Sequence, residues 1–232
     1  MRYLLIVFAF CLSLMVKAQD SDLIQLMVAP MEQDASIPQN VTDMLEARLI
    51  YAVNSVENMT ASKDYGQFFI SGKIVNIENE LFGTKIVAHT TLMLYIGDVK
   101  QKSILSSESF ELSGVANNEG QALLASIKNI KKDKKFLAFV TAGKDKIIEY
   151  FDKNYKQYID SALVAETKGN HEEALYYSTM IPSKSKGYAE AKETSDRIVK
   201  KCDTKKSATT IGKEWNRKQQ RPRPTIDFIK YK

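Results

Sequence analysis

The 232-residue sequence predicts an α+β fold, a small mixed or antiparallel sheet packed with helices and followed by a helical segment. Three observations predict it. Between Lys85 and Ile96 apolar side chains alternate with period two, the spacing that puts successive residues on opposite faces of a strand. From Gly114 to about residue 203 the apolar spacing changes to three and four, which is helical. Ahead of both lies a short apolar run and then a helical stripe, so one strand and one helix precede the main sheet.

Leu23 to Ala29 reads as the first strand, closed by Pro30, which has no N–H for a central ladder. Pro38 sits where a helix begins, and Val41, Leu45, Leu49 and Ala52 form its apolar stripe. In the alternating segment Ile86, Ala88, Thr90, Leu92, Leu94 and Ile96 share one face, and Val87, His89, Thr91, Met93 and Tyr95 the other. Phe68 to Ile77 and Ser103 to Leu112 read as flanking strands, with turns expected at Leu81-Phe82-Gly83 and Gly97-Asp98. A three-stranded antiparallel meander follows, its even face against helices and its odd face open to water or a partner. Asn117 or Asn118 is placed to cap a helix carrying Ala122, Leu123, Ile127 and Ile130. The lysine-rich run Lys131 to Lys135 breaks the helical pattern, and Gly143 is expected to precede the longest helix, marked by Ile147, Phe151, Tyr155, Tyr158, Ala162 and Ala165.

Residues 1–18 have the layout of a cleavable signal peptide: Arg2, an apolar core from Tyr3 to Val16, and small residues at Val16 and Ala18. The apolar run of about fourteen residues falls short of the roughly twenty needed to cross a bilayer, so no integral membrane segment is expected after cleavage. Cys11 follows Phe10 deep in that run, which argues against lipid attachment. Past the leader one cysteine remains, Cys202, so an exported chain would owe its stability to burial rather than to an internal disulfide. The expected divisions are 22–132 for the α+β domain, 133–203 for the helical segment and 204–232 for a basic, flexible tail.

That tail concentrates the charge. The whole chain is formally +5, yet residues 205–232 alone are +7, so the body between leader and tail is net acidic. Lys213, Trp215, Arg217, Lys218, Arg221 and Arg223 interleave cations with an aromatic ring, a pattern suited to a polyanion such as surface polysaccharide, lipid headgroups or nucleic acid.

Catalytic chemistry finds little support. The two histidines, His89 and His171, lie far apart, and no short-spaced ligand pair suggests zinc. No Gly-x-Ser-x-Gly elbow, phosphate loop or dinucleotide fingerprint occurs. Catalytic, cofactor and metal residues are therefore expected to be none, with a hydrolase on an unfamiliar scaffold as the remaining enzymatic alternative.

Two stretches resemble known families. Ala162, Ala165, the run Gly169-Asn170-His171-Glu172-Glu173-Ala174-Leu175 and Tyr177 resemble the heart of a tetratricopeptide repeat, with Gly169 at the turn and Ala174 at the helix crossing. Pro182 arrives early for that pattern, so the resemblance implies a short helical cap rather than a solenoid. Val28-Ala29-Pro30, Ile37-Pro38 with Leu45 and Leu49, and the strand Phe69-Ile70-Ser71-Gly72-Lys73-Ile74 resemble the α/β domain of the curli-secretion channel protein, the amino-terminal domain of TolB and activators of penicillin-binding proteins. The combination is similar to uncharacterised secreted proteins of Bacteroidales-type bacteria. These likenesses imply no catalytic residue. They imply a periplasmic or outer-membrane-associated protein that binds envelope proteins, through His89 and Tyr95 on the open sheet face and Tyr177 on the helical cap.

Overall fold

The computed structural model describes residues 23–30, 32–202, 208–218 and 226. The leader expected at 1–18 lies outside them. In chain order the elements are β1 (Ile24–Val28), α1 (Gln39–Asn54), β2 (Met59–Ser62), β3 (Phe68–Phe82), β4 (Lys85–Asp98), β5 (Ser103–Ala116), α2 (Glu119–Asn129), a 3-10 turn (Ile130–Lys132), α3 (Lys134–Thr167), α4 (His171–Thr179), α5 (Tyr188–Lys201) and α6 (Ala208–Lys218). This is an α+β fold, a five-stranded mixed sheet packed with helices and ending in a helical segment.

The sheet runs in the order β2-β1-β3-β4-β5. β3, β4 and β5 form the expected antiparallel meander, while β1 lies parallel to both β2 and β3. The strand β2 has no counterpart in the sequence reading, because Met-Thr-Ala-Ser is too short for alternation to register. It is held by pairing with β1 from Ile24↔Met59 to Met27↔Ser62. The two turns also move. Leu81 and Phe82 pair with Ile86 and Lys85, so the chain reverses at Gly83, whose φ of 61° suits glycine, and at Thr84. Gly97 and Asp98 stay in β4, since Asp98 starts the next turn from outside it: its Oδ1 accepts the N–H groups of Lys100 and Gln101 at 2.7 and 2.9 Å.

The even face of β4 is buried as its alternation predicts, with Ala88, Thr90, Leu92, Leu94 and Ile96 all at 0% exposure. α1 packs on it through Leu45 and Leu49, α2 through Leu123 and Ile127, and α3 through Phe136, Phe139, Val140, Ile147 and Phe151. Phe110 meets Phe136 and Phe139 edge to face with centroids 6.2 Å apart, and Phe68 meets Phe151 at 5.5 Å. Asn118 is the cap of α2, accepting from the N–H of Gln121 at 2.9 Å.

The break expected around Gly143 is absent. Asp133 caps α3 by accepting from the Lys135 N–H at 2.8 Å, and the helix then runs 34 residues without interruption. Gly143 serves packing instead: a Cβ there would lie 2.1 Å from Ile96 Cδ1, so any larger residue would require the end of that side chain to move aside. Gly114 plays the same part for α2, where a Cβ would lie 2.1 Å from the backbone N of Ser126 and 2.2 Å from the Ala122 carbonyl.

Beyond the sheet, α3 continues into a helical hairpin. Gly169 turns the chain with a φ of 75°, and Ala162, Ala165 and Ala174 are buried where α3 and α4 approach. The N–H of Asn170 donates to the Ala165 carbonyl, and the Asn170 side chain caps α4. A second apolar cluster joins Ala165, Ala174, Leu175, Ile198 and Ile211 of α3 to α6, with Cys202 packed at its margin. Glu166 clamps α3 to α5, accepting from Lys201 Nζ at 2.6 Å and from Arg197 Nη2 at 2.9 Å.

Gly114→Ala is expected to cost about 1–3 kcal/mol in urea unfolding, because rigid backbone stands in the way. Gly143→Ala should cost less, since a flexible side-chain end can yield and alanine favours the helix. The reverse order of urea midpoints would contradict the packing described. The bonds from Lys201 and Arg197 hold the Glu166 carboxyl below its ordinary value of 4.5. Their stabilisation is therefore present above that pH and lost as pH falls through the depressed folded-state value. Relative to wild type, Glu166→Gln should lose about 0.5–1 kcal/mol at pH 7 and nothing once the carboxyl is protonated, read from urea midpoints across that range.

Candidate functional site: the outer face of the sheet

The face of β3, β4 and β5 turned away from α1, α2 and α3 carries the odd residues of β4. A register shift between Ile74 and Asn76 leaves Val75 half exposed and changes which β3 residues reach this face. Before the shift Ser71 lies beside Tyr95, and Lys73 beside Met93. After it Asn76 lies beside Thr91, Glu78 beside His89 and Glu80 beside Val87. β5 adds Ser107, Ser109, Glu111, Ser113 and Val115 along the same rows.

The two ends of this face differ in kind. At the far end β3 and β4, with the end of β5 beside them, form an arm that is apolar and open: Leu81 is 73% exposed, Phe82 74% and Val115 of β5 57%. Adjacent residues of a strand point to opposite faces, so Leu81 and Phe82 make the tip greasy on both sides. His89 is exposed on this arm, its Nε2 3.7 Å from a Glu80 carboxylate oxygen, and Thr91 donates to Glu111 at 2.8 Å.

At the near end the face is closed. Tyr95, expected to meet water or a partner, is 8% exposed and packs with Met27, Ala29, Phe69 and Ile226, and burial pushes its phenol up from the ordinary range. Ile226 comes from the region expected to be a flexible tail. Its N–H donates to the Pro30 carbonyl at 2.9 Å and its side chain is completely buried. Upstream, residues 208–218 are helix α6 rather than irregular chain. Trp215 lies against Tyr176 with ring centroids 5.0 Å apart, and Asn216 Nδ2 donates to the Tyr65 carbonyl at 3.0 Å. Apolar Ile211 and the aromatic Trp215, four residues apart, supply the docking side that charge density concealed.

His89 and Tyr95 thus share a face, but only His89 is open. Tyr177 belongs elsewhere: it is half buried on α4, edge-on to Tyr176 at 5.5 Å and packed on the helical core. Lys213, Arg217 and Lys218 lie on α6 with side chains outside the described residues, and Arg221 and Arg223 are outside altogether. Trp215 already has Tyr176 against its ring.

The densest polar constellation was not legible in the sequence. Asp98, at 0% exposure, accepts from Gln67 Nε2 at 2.7 Å in addition to the two turn N–H groups. Gln67 Nε2 also reaches the Tyr150 hydroxyl at 3.1 Å, while the Tyr158 hydroxyl donates to Gln67 Oε1 at 2.7 Å. Gln101 Nε2 donates to Tyr150 at 3.0 Å, and the two hydroxyls lie 3.1 Å apart. The knot ties one end of the β3–β4 pair, where β3 begins and β4 finishes, to α3. Burial foremost pushes both phenols up, so neither ionises near neutral pH, and no activated nucleophile stands beside them. The spacing of Tyr150 and Tyr158 on one side of a helix was the one available signal.

Elsewhere, Lys144 donates from Nζ to the Glu57 carbonyl at 2.9 Å beside a shallow recess too small for an organic ligand. Among the described residues there is no group of three or more His, Cys, Asp or Glu placed to hold a metal, and no helix long and apolar enough to cross a membrane.

No known family and no curated protein matches the sequence. Solved structures with similar folds include protein XCC0632 from Xanthomonas campestris, of the family DUF330, at 14% identity over 56% of this chain and 91% of that one, TM-score 0.41. A PelC dodecamer from Paraburkholderia phytofirmans is similar at 11% identity over 47% and 83%, TM-score 0.34. Lipoprotein GNA1162 from Neisseria meningitidis is similar at 12% identity over 47% and 98%, TM-score 0.32. At such values the likeness says nothing of what this chain does.

Asp98→Ala would strand two turn N–H groups and take one of two acceptors from the Gln67 amide, and is expected to cost about 3 kcal/mol in urea unfolding with loss of tyrosine near-ultraviolet dichroism. Tyr150→Phe removes one hydroxyl and should cost about 1 kcal/mol. Equal, small effects of both changes would show that the knot does not join sheet to helix.

Proposed function

We propose that this is an exported, non-catalytic protein of the cell envelope that works by binding other proteins through the outer face of its sheet. The observation that carries the reading is the apolar tip of the β3–β4 arm. Leu81 and Phe82 are each about three-quarters exposed on an extension that the core does not need for its own packing. Large side chains grouped in this way on a protein surface mark contact sites, whereas single exposed ones do not. His89, Glu78 and Glu80 surround the tip with polar groups, which matches the greasy-centre, polar-rim composition of protein interfaces. The signal-like residues 1–18 support export, and the buried, protonated tyrosines of the knot favour a structural over a catalytic use of the strongest polar cluster.

A photo-crosslinking residue placed at Phe82 should trap discrete partners in intact cell envelopes. The same residue at Glu149, exposed on α3, should trap none. Identical crosslinking patterns at the two positions, or none at either, would defeat the reading.

A further inference from the structure

β1 is flanked by β2 only as far as Met27↔Ser62, and past that point β2 no longer lies beside it. The Ala29 N–H points toward β3, where it donates to the Ile70 carbonyl at 3.0 Å. Backbone groups of the next residue point the opposite way, so the Pro30 carbonyl faces the side that β2 has vacated. Ile226 fills that place as a strand residue would. Its N–H meets the Pro30 carbonyl, and its side chain drops into a pocket of Met27, Ala29, Phe69 and Tyr95 on the outer face. The pocket is well made: Met27 and Phe69 are at 0% exposure, and Ser71 Oγ fixes the wall by donating to the Ala29 carbonyl at 2.8 Å.

We propose that this seat is a strand-addition site for an extended peptide bearing a branched aliphatic side chain, and that the free protein keeps it filled with its own Ile226. One free backbone N–H and one β-branched side chain are what the seat reads, the combination by which sheet edges select extended peptides. Ile226 holds it in cis: seven residues of sequence, 219–225, separate it from the end of α6, so its local concentration is high and an outside peptide must displace it. The occupant from outside is an extended segment of a partner protein, and Ile226 sets the threshold for its entry. This rests on the outer face being the working surface, but its test needs no envelope partner, so its failure would leave that reading standing.

The probe is a synthetic peptide of residues 219–232 with an amino-terminal fluorophore, titrated by fluorescence anisotropy against full-length chains. Ile226→Asp should empty the seat and bind the peptide at least about tenfold more tightly than wild type, since apparent affinity falls with the fraction of seats already taken. A peptide carrying the same Ile-to-Asp change should bind neither chain. Circular dichroism verifies that the variant is folded, and Ile226→Ala replaces it if it is not. The proposal is overturned if a folded variant fails to bind the wild-type peptide, or if wild type and variant bind it equally. It is also overturned in favour of exchange between copies if wild type sediments as a dimer that Ile226→Asp converts to monomer.

Discussion

The burial of α3 against the even-numbered face of β4 is the constraint from which the rest of the structure follows. One helix of 34 residues packs its first half on the sheet through Phe136, Phe139, Ile147 and Phe151, and its second half supports α4 and α5. At position 143 the missing Cβ leaves room for the end of the Ile96 side chain between helix and strand. The polar knot of Asp98, Gln67, Tyr150 and Tyr158 then fixes where along its length the helix sits. Apolar packing is non-directional and tolerates sliding, whereas hydrogen bonds between 2.7 and 3.1 Å do not.

Helices cover one sheet face as far as the start of the arm, and the chain treats the two ends of the other face differently. Near Tyr95 it covers the apolar surface with its own Ile226. Along the arm it leaves Leu81, Phe82 and Val115 open. One apolar site is covered by a residue of the same chain while another stays exposed, a contrast in keeping with the contact role proposed for the tip. The edge strand β5 is guarded as well, since Asn129 of α2 donates to the Ser113 carbonyl at 2.9 Å and blocks one pairing position.

The surface expected to bind partners was legible only in outline. Alternation in β4 identified its two faces, and His89 lies open as that reading required. It misplaced Tyr95, because whether a half-polar face meets water depends on residues more than a hundred positions away. It cut α3 at Gly143 because glycine is punctuation in sequence, while the break it placed at the lysine run does separate α2 from α3. In the fold the glycine is a point of close approach, and Asp133 caps a new helix within the run. The basic tail was read by its charge, which hid the Ile211 and Trp215 contacts that dock α6 on the helical hairpin.

The sequence by itself determined the periods: two through the meander, three and four from Gly114 onward, with a helix start at Pro38 and a cap at Asn117 or Asn118. These depend on local backbone geometry, which a short window of residues expresses completely. Only the tertiary structure decided which apolar groups would be covered. Gln67 meeting Tyr158, Asn216 meeting Tyr65 and Ile226 meeting Pro30 join residues distant in the chain, and their pairing has no period to announce it. Such contacts form because a buried donor or apolar side chain must find a partner somewhere, and the path of the whole chain settles where.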